Sequence, residues 1–506
     1  MEKLTADKPF PPGPYPLVIV GSGPGGLQLS YSLSRLGCDH AVISADEGPG
    51  GMFRKWPFFQ RMLSWTKPFA PADRRSRQYE RYDWNSLLAD EEALRGLQAD
   101  HMDGTSYFPS RQEMEQGLTA FATRAGVTVR YGCRWEATRR EGGDWVLETT
   151  DGEYRAPVVV FAVGVAEPWR PDSPGVDQVP HYAEMLDARE YADKSVFIIG
   201  KKNSAFEIAT GLLPWARRLV LASPSPAKTF AETKSLVGVR ARYVQPFEDN
   251  IVGGGLFIVN AMIDRVVRDA GGYHVHIRFS SDGTERVFDA DAAIAATGFQ
   301  APLLDLPSLG VKTFGQSALP SQNDLWGCPE APGVYFAGTI SQGAGGLKKH
   351  GVPSNSGAVH GHRYNARVLA RHIAETHFGR EVDCPVVTPA GVVDRLLDEL
   401  AGAPGTGADI FHQRSYLARV LSVDPGSGVR DAGIQPLTRF LDDHTGLDAI
   451  AATLESDAAG QMYPALYVRQ GGQVKETLLD PDPLLDYGRQ EYRDAVAAAL
   501  KPLGLG

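Results

Sequence analysis

The sequence predicts an α/β protein with two Rossmann-like dinucleotide-binding units, one inserted into the other, followed by an α+β appendage. Residues 16–37 run from a β-branched strand, "PLVIV", through "GSGPGG" into the helical apolar spacing of "LQLSYSLSRLGC". Residues 195–223 repeat that order with "SVFIIG", "NSAFEIATGLL" and "RRLVLAS". At 506 residues the chain exceeds one hydrophobic core, so several structural units are expected.

In the first unit, Gly21 makes the tight turn, Gly23 lets the backbone approach a pyrophosphate, and Gly26 lets the helix pack close on the strand. Pro24 and Gly25 complete the loop, and the helix N-terminus offers free N–H groups to the phosphates. A second strand, "HAVIS", follows, and Asp46 just after it is the candidate partner for a ribose. The alternative is that Asp46 and Glu47 only solvate a turn.

Composition narrows the partners. The chain is 43% hydrophobic and 22% charged, with a net charge of −10, which argues against nucleic acid as the main partner. There is no 18-residue apolar run, and "MEKLTADKPFPPGPYP" lacks the basic-then-apolar order of a signal peptide, so no membrane partner and a cytoplasmic location are expected. Cys38, Cys133, Cys328 and Cys384 form no C-x-x-C pair and no metal-ligand spacing. That excludes the redox-active cysteine pair of a disulfide reductase and suggests a reducing compartment.

Several segments, in order, carry a family resemblance: "GPGGMFRKWPFF", "SYFPSRQEMEQGLTAFATRAGVTVRYG" and "VVVFAVGVAEPW". Together they resemble the flavin-binding half of the flavin-containing, or class B, monooxygenases. "DAAIAATGFQAPL" resembles the A-T-G-F/Y segment of that family and of the amine N-hydroxylases, and "PGVYFAGT" resembles the strand that returns to the flavin. The resemblance covers residues 15 to 380. The family fingerprint F-x-G-x-x-x-H is broken, keeping only His181, which argues against close kinship with the Baeyer–Villiger and drug-metabolising branches.

The resemblance implies FAD in a unit formed by residues 1–172 and 291–383, NADPH in the inserted unit 173–290, and an appendage at 384–506. Beyond the first loop it assigns Gly51, Met52, Arg111, Trp135, Val163, Gly164, Thr297, Gly298, Gly338 and Thr339 to the cofactors. Ser354, Asn355 and Ser356 are read as opening the last helix toward the flavin pyrimidine.

The second loop departs from G-x-G-x-S-G/A: it reads Gly200, Lys201, Lys202, Asn203, Ser204, Ala205, with Lys202 at the middle glycine. Three readings stay open. The ammonium groups take over phosphate binding; the long side chain fills the site; or both lysines point into solvent. No acidic residue ends the following strand, "LASPSP", so nothing there opposes a 2′-phosphate.

The chemistry implied by the resemblance is a monooxygenase in which NADPH reduces FAD and a flavin C4a-hydroperoxide oxygenates a nucleophilic heteroatom of a small molecule. N-hydroxylation of an amine or amino acid, as in bacterial natural-product pathways, comes first. S-oxygenation and Baeyer–Villiger insertion use the same intermediate, and an oxidase or binding module with a vestigial nicotinamide site is the alternative from another class. Trp65, Thr66 and Lys67 are candidates for the reactive face, with packed core as the alternative for Trp65. Lys348, Lys349 and His350 are candidates for a substrate carboxylate, against a solvated glycine-rich turn. In the appendage, "PAGVVDRLLDELAG", "HQRSYLARVLSV" and "YRDAVAAALKPL" read as helices, and "MYPALYVRQGGQVKETLL" as a hairpin. The appendage caps the active site or pairs two subunits, and the sequence prefers neither.

Overall fold

In the first unit, four short parallel strands lie in the spatial order Val334–Phe336, Val158–Phe161, Leu17–Val20, Ala41–Ile43. All are apolar and buried, as strands covered on both faces must be. The helix Pro24–Arg35 covers one face and shares its core with the helix Val359–Phe378. A mixed sheet stands beside it, with Gly152–Ala156, Asp144–Thr149 and Trp135–Glu141 antiparallel and Gly13–Pro14 added parallel to Gly152–Ala156. These features belong to a computed structural model that describes residues 8–57, 60–227, 244–347, 355–424, 428–443, 445–457 and 461–505.

The inserted unit carries a six-stranded sheet. Ala292–Ala295, Ser195–Ile199, Arg218–Ser223 and the start of Leu256–Asp269 run parallel, and the hairpin Gly272–Phe279 and Glu285–Ala290 extends it antiparallel. The strand Ala292–Ala295, placed by the sequence at the head of the returning flavin segment, therefore pairs in the second sheet, beside Ser195–Ile199.

The two units repeat one backbone contact. Gly21 has φ +115°, and a Cβ there would stand 2.5 Å from the Ala162 carbonyl oxygen. Gly200 has φ +133°, and its Cβ would stand 2.4 Å from the Ala296 carbonyl oxygen. In each unit the glycine just after the first strand presses on the residue just after its neighbour, a position only glycine fills.

The appendage is an antiparallel sheet in the order Val386–Val387, Gly428–Pro436, Leu417–Asp424, Asp448–Ser456, Met462–Gln470, Gln473–Leu478, packed on the helices Val392–Ala401 and Gln490–Leu500. "HQRSYLARVLSV" is thus mainly strand, not helix. The strand is central and buried on both faces, so its apolar residues do not alternate. The appendage is tied to the first unit by buried polar groups: Arg77 bridges Glu80 at 3.0 Å and Asp409 at 3.3 Å, and the Ala408 N–H donates to Glu80 at 3.1 Å. Burial raises the Glu80 carboxyl, but the Arg77 charge and hydrogen bond outweigh it and hold it below the usual range. Among the described residues no helix is long and apolar enough to cross a membrane.

Two substitutions test this packing. Gly25→Ala would set a methyl 2.2 Å from the Gly338 Cα, backbone against backbone, whereas Gly23→Ala meets nothing within 4 Å. Calorimetry of the purified variants is expected to show a loss of about 2–3 kcal/mol for Gly25→Ala and little change for Gly23→Ala. Arg77→Met strands two buried carboxylates and is expected to cost about 3 kcal/mol or more by denaturant titration, separating the appendage from the first unit.

Candidate functional site

Residues of both units line one cavity of about 1000 Å³. Gly21, Gly23, Pro24 and Gly25 of the first loop are on its wall, with Asp46, Gly51, Met52, Trp135, Val163, Gly164, Gly338 and Thr339. From the inserted unit come Asn203 and Ser204, at the start of the helix Asn203–Leu212, and Glu207 one turn on. Glu207 apart, these are the predicted residues the fold brings together.

The first loop has the shape a dinucleotide requires. Gly23, extended at φ −71° and ψ 178°, caps the helix, and a Cβ there would enter open space on the cavity side. Helix N–H groups then face the space a pyrophosphate would occupy. Gly26 works behind the wall: its Cβ would stand 2.0 Å from the Gly21 carbonyl oxygen, so it sets the helix against the turn. Asp46 accepts from Lys55 Nζ at 2.9 Å and from the Ser44 hydroxyl, while its own N–H donates to Ser44 Oγ. The Trp135 indole N–H is taken by Ala137 and Thr138, which leaves its ring as the cavity face.

Other predicted residues support the wall without reaching it. Arg111 donates to the Phe53 carbonyl at 2.8 Å and to Glu115 at 3.0 Å, from a helix capped reciprocally by Ser110 and Glu113. Thr297 donates to the Trp169 carbonyl, and the Gly298 carbonyl oxygen lies 3.0 Å from His181 Nε2, so His181 is a buried strut. Ala205 is buried in the core of the inserted unit.

The lysines of the second loop part company. Lys202 caps its helix with an extended backbone, as Gly23 does, and its side chain is exposed, so that position demands no glycine. Lys201 turns inward, 5% exposed, with Nζ donating to Asn260 Oδ1. Neither lines the cavity.

Two expectations need correction. Trp65, Thr66 and Lys67 do not line the cavity. Trp65 packs on Trp84 at 4.1 Å, Thr66 donates to Asp83 at 2.8 Å, and Lys67 is exposed; Gln60 to Ser64 and Trp84 form the wall instead. The last helix begins at Val359 with Ala358 as its cap, not at residues 354–356. Asn355 and Ser356 are tied down before it, Asn355 by the Ser341 carbonyl at 2.8 Å and Ser356 by Gln413 at 2.8 Å. Gly357, Ala358 and Val359 take the wall positions. Lys348, Lys349, His350 and Ser354 lie outside the described residues.

The sequence also missed residues that matter. Glu207 accepts from Gln60 Nε2 at 3.1 Å and from the Arg61 N–H at 3.3 Å, joining the inserted unit to the first across the cavity. His360 packs on Trp84 at 4.5 Å, and its Nε2 lies 3.3 Å from Ser356 Oγ. Asn203 Oδ1, Gln60 Oε1, and Nδ1 of His360 and His362 are buried on this wall without a hydrogen-bond partner among the described residues. Burial, with Arg363 and Arg414 nearby, pushes His360 well below its usual range, and burial pushes His362 down to about 3. Both imidazoles are neutral at pH 7. None of the four cysteines lines the cavity, and each is a free thiol.

Residues 18–338 match the family described as pyridine nucleotide-disulphide oxidoreductase. The chain belongs to that family. Members bind FAD and a nicotinamide dinucleotide, and the open loop, the orphaned polar atoms and the two helix N-termini fit those groups. The FAD-dependent oxidoreductase domain-containing protein 2 of Danio rerio is 33% identical over 230 residues, 44% of this chain and 33% of that protein. Its namesake from Mus musculus is 25% identical over 423 residues, 76% and 62%. The chain thus spans less than two thirds of either relative. In fold it is similar to the bacillithiol disulfide reductase Bdr of Staphylococcus aureus, with TM-score 0.55, 17% identity, and 72% of this chain and 98% of that one covered. It is also similar to a flavin-containing monooxygenase from Stenotrophomonas maltophilia, with TM-score 0.51, 20% identity and the same coverage. Family membership and the FAD and nicotinamide dinucleotide sites define a wider class than the sequence resemblance implied.

The neutral histidines give a pH signature. Unfolded, His362 titrates near 6.5; folded, near 3, so between those values the unfolded chain binds the extra proton. Thermal melts are expected to lose stability as pH falls below 6.5, and His362→Gln to flatten that slope.

Proposed function

We propose that this oxidoreductase is an NADPH-dependent flavin monooxygenase that oxygenates a nucleophilic heteroatom, first the nitrogen of a small amine or amino acid. The observation that carries the reading is the shared cavity: both dinucleotide units line it, Glu207 ties them across it, and no cysteine stands on its wall to receive electrons. When bound, FAD supplies two-electron transfer between the nicotinamide and dioxygen. Overall, amine, O2, NADPH and a proton give hydroxylamine, NADP⁺ and water, with one atom of O2 in the hydroxylamine and the other in water.

The chain's own work is binding, orienting and drying. Glycine-loop amides and helix N-termini hold phosphates. Trp56, Met62, Leu63 and Trp84 give the wall an apolar stretch that excludes water. A wall that keeps two imidazoles neutral also disfavours a substrate ammonium, and only the unprotonated amine is nucleophilic. The polar Nδ1 atoms of His360 and His362 supply hydrogen-bonding positions there.

Purified protein incubated with NADPH, ¹⁸O2 and a panel of amines, amino acids and sulfides is expected to consume oxygen and to yield an N-hydroxylated product carrying ¹⁸O. NADPH oxidation that proceeds anaerobically with a disulfide acceptor, without ¹⁸O in any product, would establish a reductase instead.

A further inference from the structure

The inserted unit holds a buried positive charge with no counter-charge among the described residues. Lys201 is 5% exposed, and its single described partner is the neutral amide of Asn260. An ammonium has three N–H donors, so two are left over. Burial alone lowers its pKa, to about 8, and no carboxylate among the described residues offsets that. A buried cation without an anion is costly, and folds keep such a group where a ligand completes it.

Its position says which anion. Lys201 follows the first strand of the inserted sheet, Ser195–Ile199, and reaches Asn260, the last residue of Leu256–Asp269 that pairs in parallel. Asn260 pairs with Ser223, the last residue of the second strand. In doubly wound sheets the adenosine ribose lies over that strand end, and the residue there distinguishes a 2′-hydroxyl from a 2′-phosphate. The strand ends in Ser223 with no acidic side chain to hold a hydroxyl. The pyrophosphate belongs elsewhere, at the helix N-terminus where Asn203 and Ser204 line the cavity and Lys201 does not.

We propose that Lys201, held by Asn260, is the receptor for the adenosine 2′-phosphate and makes the second unit selective for NADPH over NADH. The proposal rests on the reading of that unit as a nicotinamide dinucleotide site. It gives the glycine-loop lysine a task separate from pyrophosphate binding.

Isothermal titration of the FAD-loaded protein with 2′,5′-ADP and with 5′-AMP tests it. Wild type is expected to bind 2′,5′-ADP at least about tenfold more tightly, as one charge-assisted phosphate contact allows. Lys201→Met, an apolar replacement suited to a buried site, is expected to bring the two ligands within about threefold while leaving 5′-AMP unchanged. Asn260→Asp, which keeps the lysine but neutralises it, is expected to remove the preference in the same way. A preference that survives both substitutions, or wild type binding both ligands equally, overturns the assignment and leaves the nucleotide site intact. Wild type binding neither ligand overturns the assignment together with the dinucleotide reading of the unit.

Discussion

The contact of Gly25 with Gly338, backbone on backbone, governs the rest of this molecule. A Cβ at Gly25 would overlap the Gly338 Cα and nitrogen at 2.2 and 2.4 Å, so two chain segments more than three hundred residues apart meet at a distance only glycine permits. That contact brings the start of the first helix against the end of the returning strand Val334–Phe336. The four parallel strands then end together, and their carboxyl edge becomes the cavity wall. Gly26 against Gly21 and Gly21 against Ala162 repeat the device within the same loop. Such crowding of bare backbone yields a rigid surface of N–H groups, which suits a phosphate ester.

The inserted unit repeats the device and then departs from it. Gly200 keeps the strand-end contact and Ala205 keeps the close helix, because both bury against the sheet. The position between them faces outward in both units, so Lys202 replaces a glycine without backbone strain. Glu207, a turn further on, binds Gln60 and Arg61 of the other unit. One face of this helix therefore orients the two units, while its N-terminus addresses the space between them.

What was legible in the sequence was whatever depends on local chain geometry. The two strand–turn–helix units and the hairpin at Gly471 and Gly472 follow from short-range periodicity and turn chemistry. The cavity wall from Gln60 to Ser64 does not, because those residues are placed by partners far away in sequence, Glu207 and Ser110 among them. Trp65 and Thr66 differ from the neighbouring wall residues only in which way they face, and Trp84 and Asp83, which hold them, leave no local signature. His360 and His362 sit two apart in a helix whose first turn is buried from all sides, so no amphipathic pattern marks them.

The appendage bears on the same cavity. His412 packs edge-on against Trp84 at 4.9 Å and lies 5.3 Å from His360, two rings that line the wall. His412 Nε2 lies 3.0 Å from the Glu80 carbonyl, and Gln413 binds Asn355, Ser356 and Asn365 just before and within the last helix. The helix whose N-terminus faces the cavity is thus held on one side by the first unit and on the other by the appendage. Burial, with Arg363 and His360 nearby, keeps His412 neutral as well, so the two imidazoles pack beside Trp84 without mutual repulsion. A domain outside the two dinucleotide units therefore helps to fix the shape and the low polarity of the space between them.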